Sequence, residues 1–138
     1  MKTLCIALLA FAFTITSDAD KEAITVALNY YMEGSMNRDF DTLKKAFHED
    51  AIMTIADQKE GSFKQVNARE FFSKMKPGEP LKRTNEIVSI DVGGHTAIAR
   101  LKIEDDVKIF HDFMTLQKFK DRWYIVNKSF YLEKKSMP

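Results

Sequence analysis

"FHDFMTLQKFKDRWYIVNKSF" (residues 110–130) decides the fold, because it reads as two long strands joined by a tight turn. Lys120 and Asp121 form the predicted turn, and apolar residues recur in the segments on both sides of it. Side chains alternate between the two faces of a strand. Asp112 therefore shares its face with three large apolar side chains: Phe110, Met114 and Leu116.

Two more strands precede this hairpin and extend it into a meander. Residues 85–92 and 96–103 alternate in the same way, and Gly93-Gly94 between them is a two-residue hairpin signal. A third turn at residues 104–106 leads into a strand predicted over residues 107–119, and the last strand covers residues 122–132. The second half of the chain is therefore predicted to be antiparallel sheet.

The first half is predicted to be mainly helical. Residues 20–38 carry one apolar face at helical spacing, formed by Ile24, Ala27, Leu28 and Tyr31. Asp39 or Asp41 starts a second, shorter helix that His48 ends, and a short strand is predicted over residues 51–55. Asn67 and Glu70 resemble a capping box that opens a third helix. This order predicts one α+β domain, with three helices on one face of a curved, mainly antiparallel sheet.

The N-terminus has the layout of a secretory signal peptide. Lys2 is followed by the apolar run of residues 4–13, and Ser17 and Ala19 are small residues suited to a cut after Ala19. We therefore expect residues 1–19 to be removed, residues 20–138 to form a single domain, and the protein to be exported to the periplasm or the extracellular space. An uncleaved anchor or a buried helix is the alternative. After cleavage no stable membrane insertion is expected.

Charge and histidine spacing exclude several classes of function. The 21 basic and 20 acidic residues give a net charge of +1, which does not indicate nucleic-acid binding. The three histidines, His48, His95 and His111, fit no zinc signature, and the only cysteine is lost with the signal peptide. No metal and no cofactor are expected.

Two blocks of sequence resemble a known superfamily. "YYMEGSMNRDFDTLKKAFHEDAIM" (residues 30–53) and residues 110–130 are similar to the opening and the last hairpin of the nuclear transport factor 2-like superfamily. With "SIDVGGHTAIARL" (residues 89–101), they most resemble its putative lumazine-binding branch and the neighbouring polyketide-cyclase-like proteins. The resemblance implies a cone-shaped fold around a cavity. It also implies a homodimer formed through the sheet.

The same resemblance suggests candidate site residues. Tyr31 and Asp112 match the oxyanion-site tyrosine and aspartate of ketosteroid isomerase, a member of this superfamily. Burial would raise the pKa of Asp112, and a neutral carboxylic acid can donate a hydrogen bond to a ligand. Alternatively, Asp112 is a structural carboxylate that joins the sheet to a helix or to Tyr31. The position of the isomerase's base falls near Ile55, which cannot accept a proton, so Asp57 is the displaced candidate.

Four further residues complete the predicted cavity lining. Met114 follows Asp112 on its face, while the neighbouring His111 points to the other side. Strand alternation places Trp123 and Ile125 inward as core, with Asn127 further along the same face as a cavity hydrogen-bonder and Lys128 outward. His48 either complements a helix dipole or faces the ligand.

Three hypotheses about function follow. The first is an exported protein that holds an apolar or aromatic small molecule in the cone. The second is a cofactor-independent isomerase, dehydratase or cyclase that uses Tyr31 and Asp112, with Asp57 or His48. The third is a dimeric interaction module without a ligand. An open cone in which Tyr31 and Asp112 come within hydrogen-bond reach would favour a site, whereas a cone filled by side chains would exclude one.

Overall fold

The computed structural model describes residues 18–136, so most of the predicted signal peptide lies outside the described residues. The elements in chain order are α1 (Asp18–Met36), α2 (Phe40–Leu43), β1 (Phe47–Asp57), β2 (Ser62–Asn67), α3 (Ala68–Ser73), β3 (Thr84–Gly93), β4 (Thr96–Glu104), β5 (Lys108–Phe119) and β6 (Arg122–Lys134). Within residues 18–136, no helix is both long enough and apolar enough to cross a membrane.

All six strands form one sheet in the order β2-β1-β6-β5-β4-β3. Every neighbouring pair is antiparallel except β1 and β6, which run parallel. Helix α1 packs on the inner face of the sheet, and its predicted apolar face is confirmed because Ile24, Ala27, Leu28 and Tyr31 are all buried. The prediction of an α+β domain with a mainly antiparallel sheet is therefore confirmed.

The predicted turns of the meander are also confirmed. Lys120 and Asp121 both have positive φ and connect β5 directly to β6, as a two-residue hairpin of this kind requires. Gly94 has φ +62° in the β3–β4 turn. Asp105 closes the β4–β5 turn by accepting hydrogen bonds from the backbone N–H groups of Val107 and Lys108.

The helical first half is shorter than predicted. Only α1 is a long helix among the described residues, since α2 has 4 residues and α3 has 6. Both predicted caps are present: Asp39 accepts from the Thr42 N–H, and Asn67 accepts from the Glu70 N–H. These caps start the helices. Helix α2 is followed closely by β1 at Phe47, whereas α3 is followed by the loop that contains Pro77 and Pro80.

His48 does not end a helix, contrary to the prediction, because β1 already begins at Phe47. Phe47 pairs with Ile125 in the parallel ladder, so tertiary pairing overrides the helical spacing of residues 40–47. Strand β2 was not predicted at all. It is an edge strand whose exposed residues show no apolar alternation, which leaves little pattern to detect.

Strand β6 contains a β-bulge that changes which side chains face inward. Leu116 pairs with Ile125, but the preceding residue of β5, Thr115, pairs with Asn127. Val126 is therefore the extra residue. Beyond a bulge the alternation of side chains shifts by one position. Asn127 therefore lies on the outer face, and Lys128 is only 3% exposed on the inner face, which reverses the prediction for both residues.

Candidate functional site

A carboxylate, an ammonium and a phenol meet inside the fold. The Tyr31 hydroxyl donates a hydrogen bond of 2.7 Å to Asp112 Oδ2, and the Lys128 ammonium donates one of 2.5 Å to Asp112 Oδ1. Asp112 is completely buried, and Tyr31 and Lys128 are 4% and 3% exposed. Helix α1 and the neighbouring strands β5 and β6 are thus joined by one polar cluster.

This arrangement favours the structural interpretation of Asp112. Both of its oxygens accept hydrogen bonds, one from the Tyr31 hydroxyl and one from the Lys128 ammonium at 2.5 Å. As a neutral acid, Asp112 would have to donate a hydrogen bond to a ligand, whereas both of its oxygens accept hydrogen bonds from other residues. Asp112 is therefore the structural anion that holds Tyr31 and Lys128 in place, and it is not itself in the cavity wall.

Burial alters the titration of the groups around this anion. It raises the pKa of the Tyr31 phenol well above its usual value, and the negative charge of Asp112 adds to the effect. Burial also lowers the pKa of the Lys128 ammonium, while the Asp112 carboxylate opposes that shift. Tyr31 consequently stays neutral at ordinary pH and can offer its oxygen lone pairs toward the cavity.

Arg83 supplies a second cation beside this cluster. It follows the proline-containing loop after α3, and its Nη2 donates to Ser35 Oγ at 2.7 Å and to the Met32 carbonyl at 3.4 Å. Burial lowers the pKa of the guanidinium, whereas Tyr31 and Asp112 raise it. Its Nε is buried and has no hydrogen-bond partner among the described residues.

A cavity of about 280 Å³ lies between helix α1, helix α3 and the inner face of the sheet. Six of its lining residues are apolar, namely Met53, Phe71, Phe72, Ile103, Phe110 and Phe130. The other four are polar, namely Tyr31, Ser35, Arg83 and Lys128. Phe71 is 46% exposed, so the cavity reaches solvent on the α3 side. The cone is therefore not filled by its own side chains.

Asp57 and Ile55 lie outside this cavity. They line a separate surface depression with Phe130 and residues at the end of β6. The Asp57 carboxylate accepts hydrogen bonds from the backbone N–H groups of Glu60 and Lys59, which lower its pKa. Asp57 thus closes the β1–β2 turn and does not reach the cavity as a base.

His48 and Asn127 are on the outer face of the sheet. The His48 ring contacts Phe119 and Tyr124 edge-on, with ring centroids 6.1 and 5.8 Å away. Its Nδ1 accepts a hydrogen bond from the Asp50 N–H, so a backbone contact on the surface occupies this nitrogen. Neither His48 nor Asn127 lines the cavity.

Trp123, Met114 and His111 lie on the faces of the sheet that were predicted for them. Trp123 and Met114 are buried in the core, and the Trp123 indole N–H donates to Asp20 Oδ1 at 3.0 Å. His111 lies on the outer face, where its Nε2 is 2.7 Å from a carboxylate oxygen of Glu133. None of the three lines the cavity, so only Tyr31 among the predicted binding residues does so.

Sequence reasoning missed Lys128 and Arg83, the two cations of the cavity. A signal for Lys128 exists, because a buried carboxylate requires a countercharge and Lys128 is the cationic residue closest to the middle of β6. If the predicted alternation of side chains is shifted by one residue after Ile125, Lys128 and Phe130 fall on the apolar face. Arg83 comes from a loop without periodicity, so its position could not be predicted from the pattern.

Comparison with known proteins places this fold and chain in a family. The sequence model of the family described as putative lumazine-binding matches residues 19–131, which is most of the chain. The chain belongs to the putative lumazine-binding family. The predicted membership of the nuclear transport factor 2-like superfamily is thereby confirmed. No curated protein gave a significant match.

Solved structures of the superfamily share the fold of this putative lumazine-binding protein. A nuclear transport factor 2-like protein of unknown function from Shewanella baltica is 24% identical with a TM-score of 0.77, over 87% of this chain and 99% of that one. Another from Methylobacillus flagellatus is 28% identical with a TM-score of 0.75, over 86% and 96%. A ketosteroid isomerase-like protein from Erwinia carotovora atroseptica is 12% identical with a TM-score of 0.66, over 88% and 100%.

Proposed function

We propose that this protein binds an apolar or aromatic small molecule in the cavity beneath helix α1. The cavity itself carries the proposal, because about 280 Å³ of open space is lined by aromatic and aliphatic side chains with a few convergent polar groups. That composition is typical of small-molecule sites. Membership of a family named for ligand binding is consistent with it.

The chemistry of the cavity wall favours binding over proton transfer. The lining contains four polar side chains, Tyr31, Ser35, Arg83 and Lys128, and none of them is a carboxylate or an imidazole. A general base must come within hydrogen-bond reach of the proton that it removes. Asp112 does not line the cavity, and Asp57 and His48 lie outside it. The lining residues therefore offer no conventional base.

A cavity-filling variant tests the binding function. Ile103 lines the cavity and Ile98 lies on the outer face of the same strand, β4, so Ile103→Phe and Ile98→Phe are matched changes. We expect protein purified from its own host to retain a small molecule, detected by native mass spectrometry. The Ile98→Phe variant should retain it, and the Ile103→Phe variant should lose it. Equal retention by both variants would exclude the cavity as the site.

An isomerase-like enzyme is the second candidate, and the presence of a phenol and an ammonium, Tyr31 and Lys128, in the cavity lining is the observation that favours it. Such an enzyme would accelerate exchange of the protons next to the carbonyl of a flat aromatic ketone such as 2-tetralone in D₂O. NMR measures this exchange directly. Acceleration that Tyr31→Phe abolishes would establish the enzyme, whereas exchange at the rate of buffer alone would exclude it for this class of ketone.

Export and dimer formation are proposed on separate grounds. Export rests on the signal-peptide layout of residues 1–19, and N-terminal sequencing of the mature protein should begin at Asp20. A homodimer through the outer face of the sheet is supported by three exposed apolar side chains on adjacent strands, Ile98, Phe113 and Tyr131. Exposed apolar patches of this kind mark interaction surfaces.

A further inference from the structure

The charges around the cavity indicate which kind of ligand it takes, an inference that rests on the proposed binding function. Both charged residues in the lining, Arg83 and Lys128, are cations. One buried carboxylate, Asp112, faces them, and it is already bonded to Lys128 and Tyr31. The cavity wall therefore carries one positive charge more than its buried carboxylate balances.

Arg83 has hydrogen-bond donors to spare. A guanidinium has five N–H groups, and among residues 18–136 only Nη2 of Arg83 donates hydrogen bonds, to Ser35 and Met32. Its Nε is buried without a partner among the described residues. A buried donor without an acceptor costs free energy, and a ligand oxygen would remove that cost.

The Lys128 ammonium also has more hydrogen-bond donors than the one that it uses. Its ammonium has three donors, and one of them bonds to Asp112. The ammonium lies 4.5 Å from the ring centre of Phe130 and 5.5 Å from that of Tyr31. Cation–π contacts stabilise the charge without saturating its donors, so a second oxygen can be accommodated on the cavity side.

Two of the three carboxylates that share a surface depression with Arg83 are occupied elsewhere. Arg83 borders this depression together with Glu104, Asp105 and Asp106. Glu104 is bonded to Lys102 and Lys135, and Asp105 accepts from two backbone N–H groups of its turn. Neither Glu104 nor Asp105 accepts a hydrogen bond from Arg83, so within residues 18–136 the guanidinium keeps donors without an acceptor.

We propose that the ligand is a flat, mainly apolar anion, such as an aromatic carboxylate, whose acidic group accepts hydrogen bonds from Arg83 and Lys128. Its apolar body then lies among the phenylalanines of the lining, Phe71, Phe72, Phe110 and Phe130. The pairing of a guanidinium with a carboxylate gives both strength and orientation. A neutral ligand of the same shape would leave the excess positive charge unpaired.

A matched pair of probes tests this inference. 2-Naphthoate and its neutral amide, 2-naphthamide, have the same ring and almost the same shape, and isothermal titration calorimetry measures their affinities. We expect 2-naphthoate to bind at least 10-fold more tightly. In Arg83→Gln its affinity should fall about 10- to 100-fold, the usual effect of losing a charged hydrogen bond, while that of 2-naphthamide should hardly change.

Two controls separate the site from bulk charge and from folding. Arg100→Gln removes an arginine from the outer face of β4, where it lies over the Phe113 ring, and it should not change either affinity. Arg83→Lys keeps the charge but loses the Nε donor, so it should fall between the wild type and Arg83→Gln. Unchanged binding of 2-naphthamide would show that each variant is folded.

The outcomes distinguish this inference from the binding function itself. Binding of both probes with equal affinity would overturn the anion preference and leave the cavity as a ligand site. An equal loss of 2-naphthoate affinity in Arg83→Gln and Arg100→Gln would overturn that preference as well. Binding of neither probe would overturn this inference, and the retention of a host ligand by the Ile98→Phe and Ile103→Phe variants would then decide the binding function separately.

Discussion

Lys128 Nζ lies 2.5 Å from Asp112 Oδ1 inside the protein, and both side chains are almost completely inaccessible to solvent. The two residues come from neighbouring antiparallel strands, and the bulge at Val126 is what turns Lys128 inward. A buried carboxylate among apolar side chains would otherwise carry a large desolvation cost. The ion pair offsets this desolvation cost and places a cation in the cavity wall.

Breaking this pair from either side should strongly destabilise the fold. Asp112→Asn leaves the ammonium unpaired and Lys128→Met leaves the carboxylate unpaired, so we expect each to lower the free energy of unfolding by about 3–5 kcal/mol. The double variant removes both charges and should cost less than the sum of the two. Urea unfolding of the four proteins measures the coupling, and simple additivity would show that the two charges do not interact.

Adding one methyl group at Gly34 should also destabilise the protein. A Cβ at this position would lie 2.4 Å from the backbone nitrogen of Leu43, so helix α1 and α2 can approach only because residue 34 is glycine. Overpacking typically costs about 1–3 kcal/mol, which exceeds the gain of about 1 kcal/mol from replacing glycine by alanine in a helix.

Gly93→Ala is the matched control for this prediction. A Cβ at Gly93 has no atom within 4 Å, and φ at this residue is not positive. Thermal unfolding should therefore show a clear loss of stability for Gly34→Ala and a small change for Gly93→Ala. Equal melting temperatures for the two variants would contradict the close approach of α1 and α2.

Acid should remove a contribution of Glu104 to stability. Hydrogen bonds from Lys102 and Lys135 lower the pKa of the Glu104 carboxyl from its usual value of 4.5 to about 2. A lowered pKa in the folded state stabilises the protein above pH 4.5, and this stabilisation is lost as the pH falls toward 2. Glu104→Gln should therefore be less stable than the wild type at about pH 7 and nearly equal to it at about pH 2.

Urea unfolding across this pH range measures the difference, with Glu60→Gln as the control. Glu60 is an exposed carboxylate of the β1–β2 turn, and its side chain forms no ion pair with any residue in the described range 18–136. Its replacement removes one exposed carboxylate without breaking an ion pair, and so controls for the loss of a negative charge. A Glu104→Gln curve parallel to that of the wild type over the whole range would refute the assignment.

Replacing Phe113 by glutamate should separate the proposed homodimer. Phe113 is 45% exposed at the centre of the apolar patch formed with Ile98 and Tyr131 on the outer face. A buried unpaired carboxylate at an interface is strongly unfavourable. Sedimentation velocity should show a dimer for the wild type and a monomer for Phe113→Glu, whereas Val107→Glu, in the β4–β5 turn, should remain dimeric. A monomeric wild type would exclude the dimer.

Local patterns were sufficient for much of the fold. The apolar face of α1, the caps at Asp39 and Asn67, and the Lys120-Asp121 turn follow from neighbouring residues, and all are confirmed. The patterns were insufficient where strand pairing intervened. Phe47 and His48 joined a strand through the parallel ladder with β6, and edge strand β2 has no buried face to reveal it.

The sequence alone indicated that Asp112 shares a strand face with apolar side chains and that Tyr31 lies on the apolar face of α1, because alternation and helical spacing are local properties. That the two side chains meet was suggested only by the resemblance to the superfamily. Only the tertiary structure decided what Asp112 does there. A bulge in β6 brings in Lys128 to neutralise it, and a loop brings in Arg83 beside the cavity. Bulges and loop positions arise from pairing between distant segments, so the charge of the cavity, and with it the chemistry of the expected ligand, had to come from the folded chain.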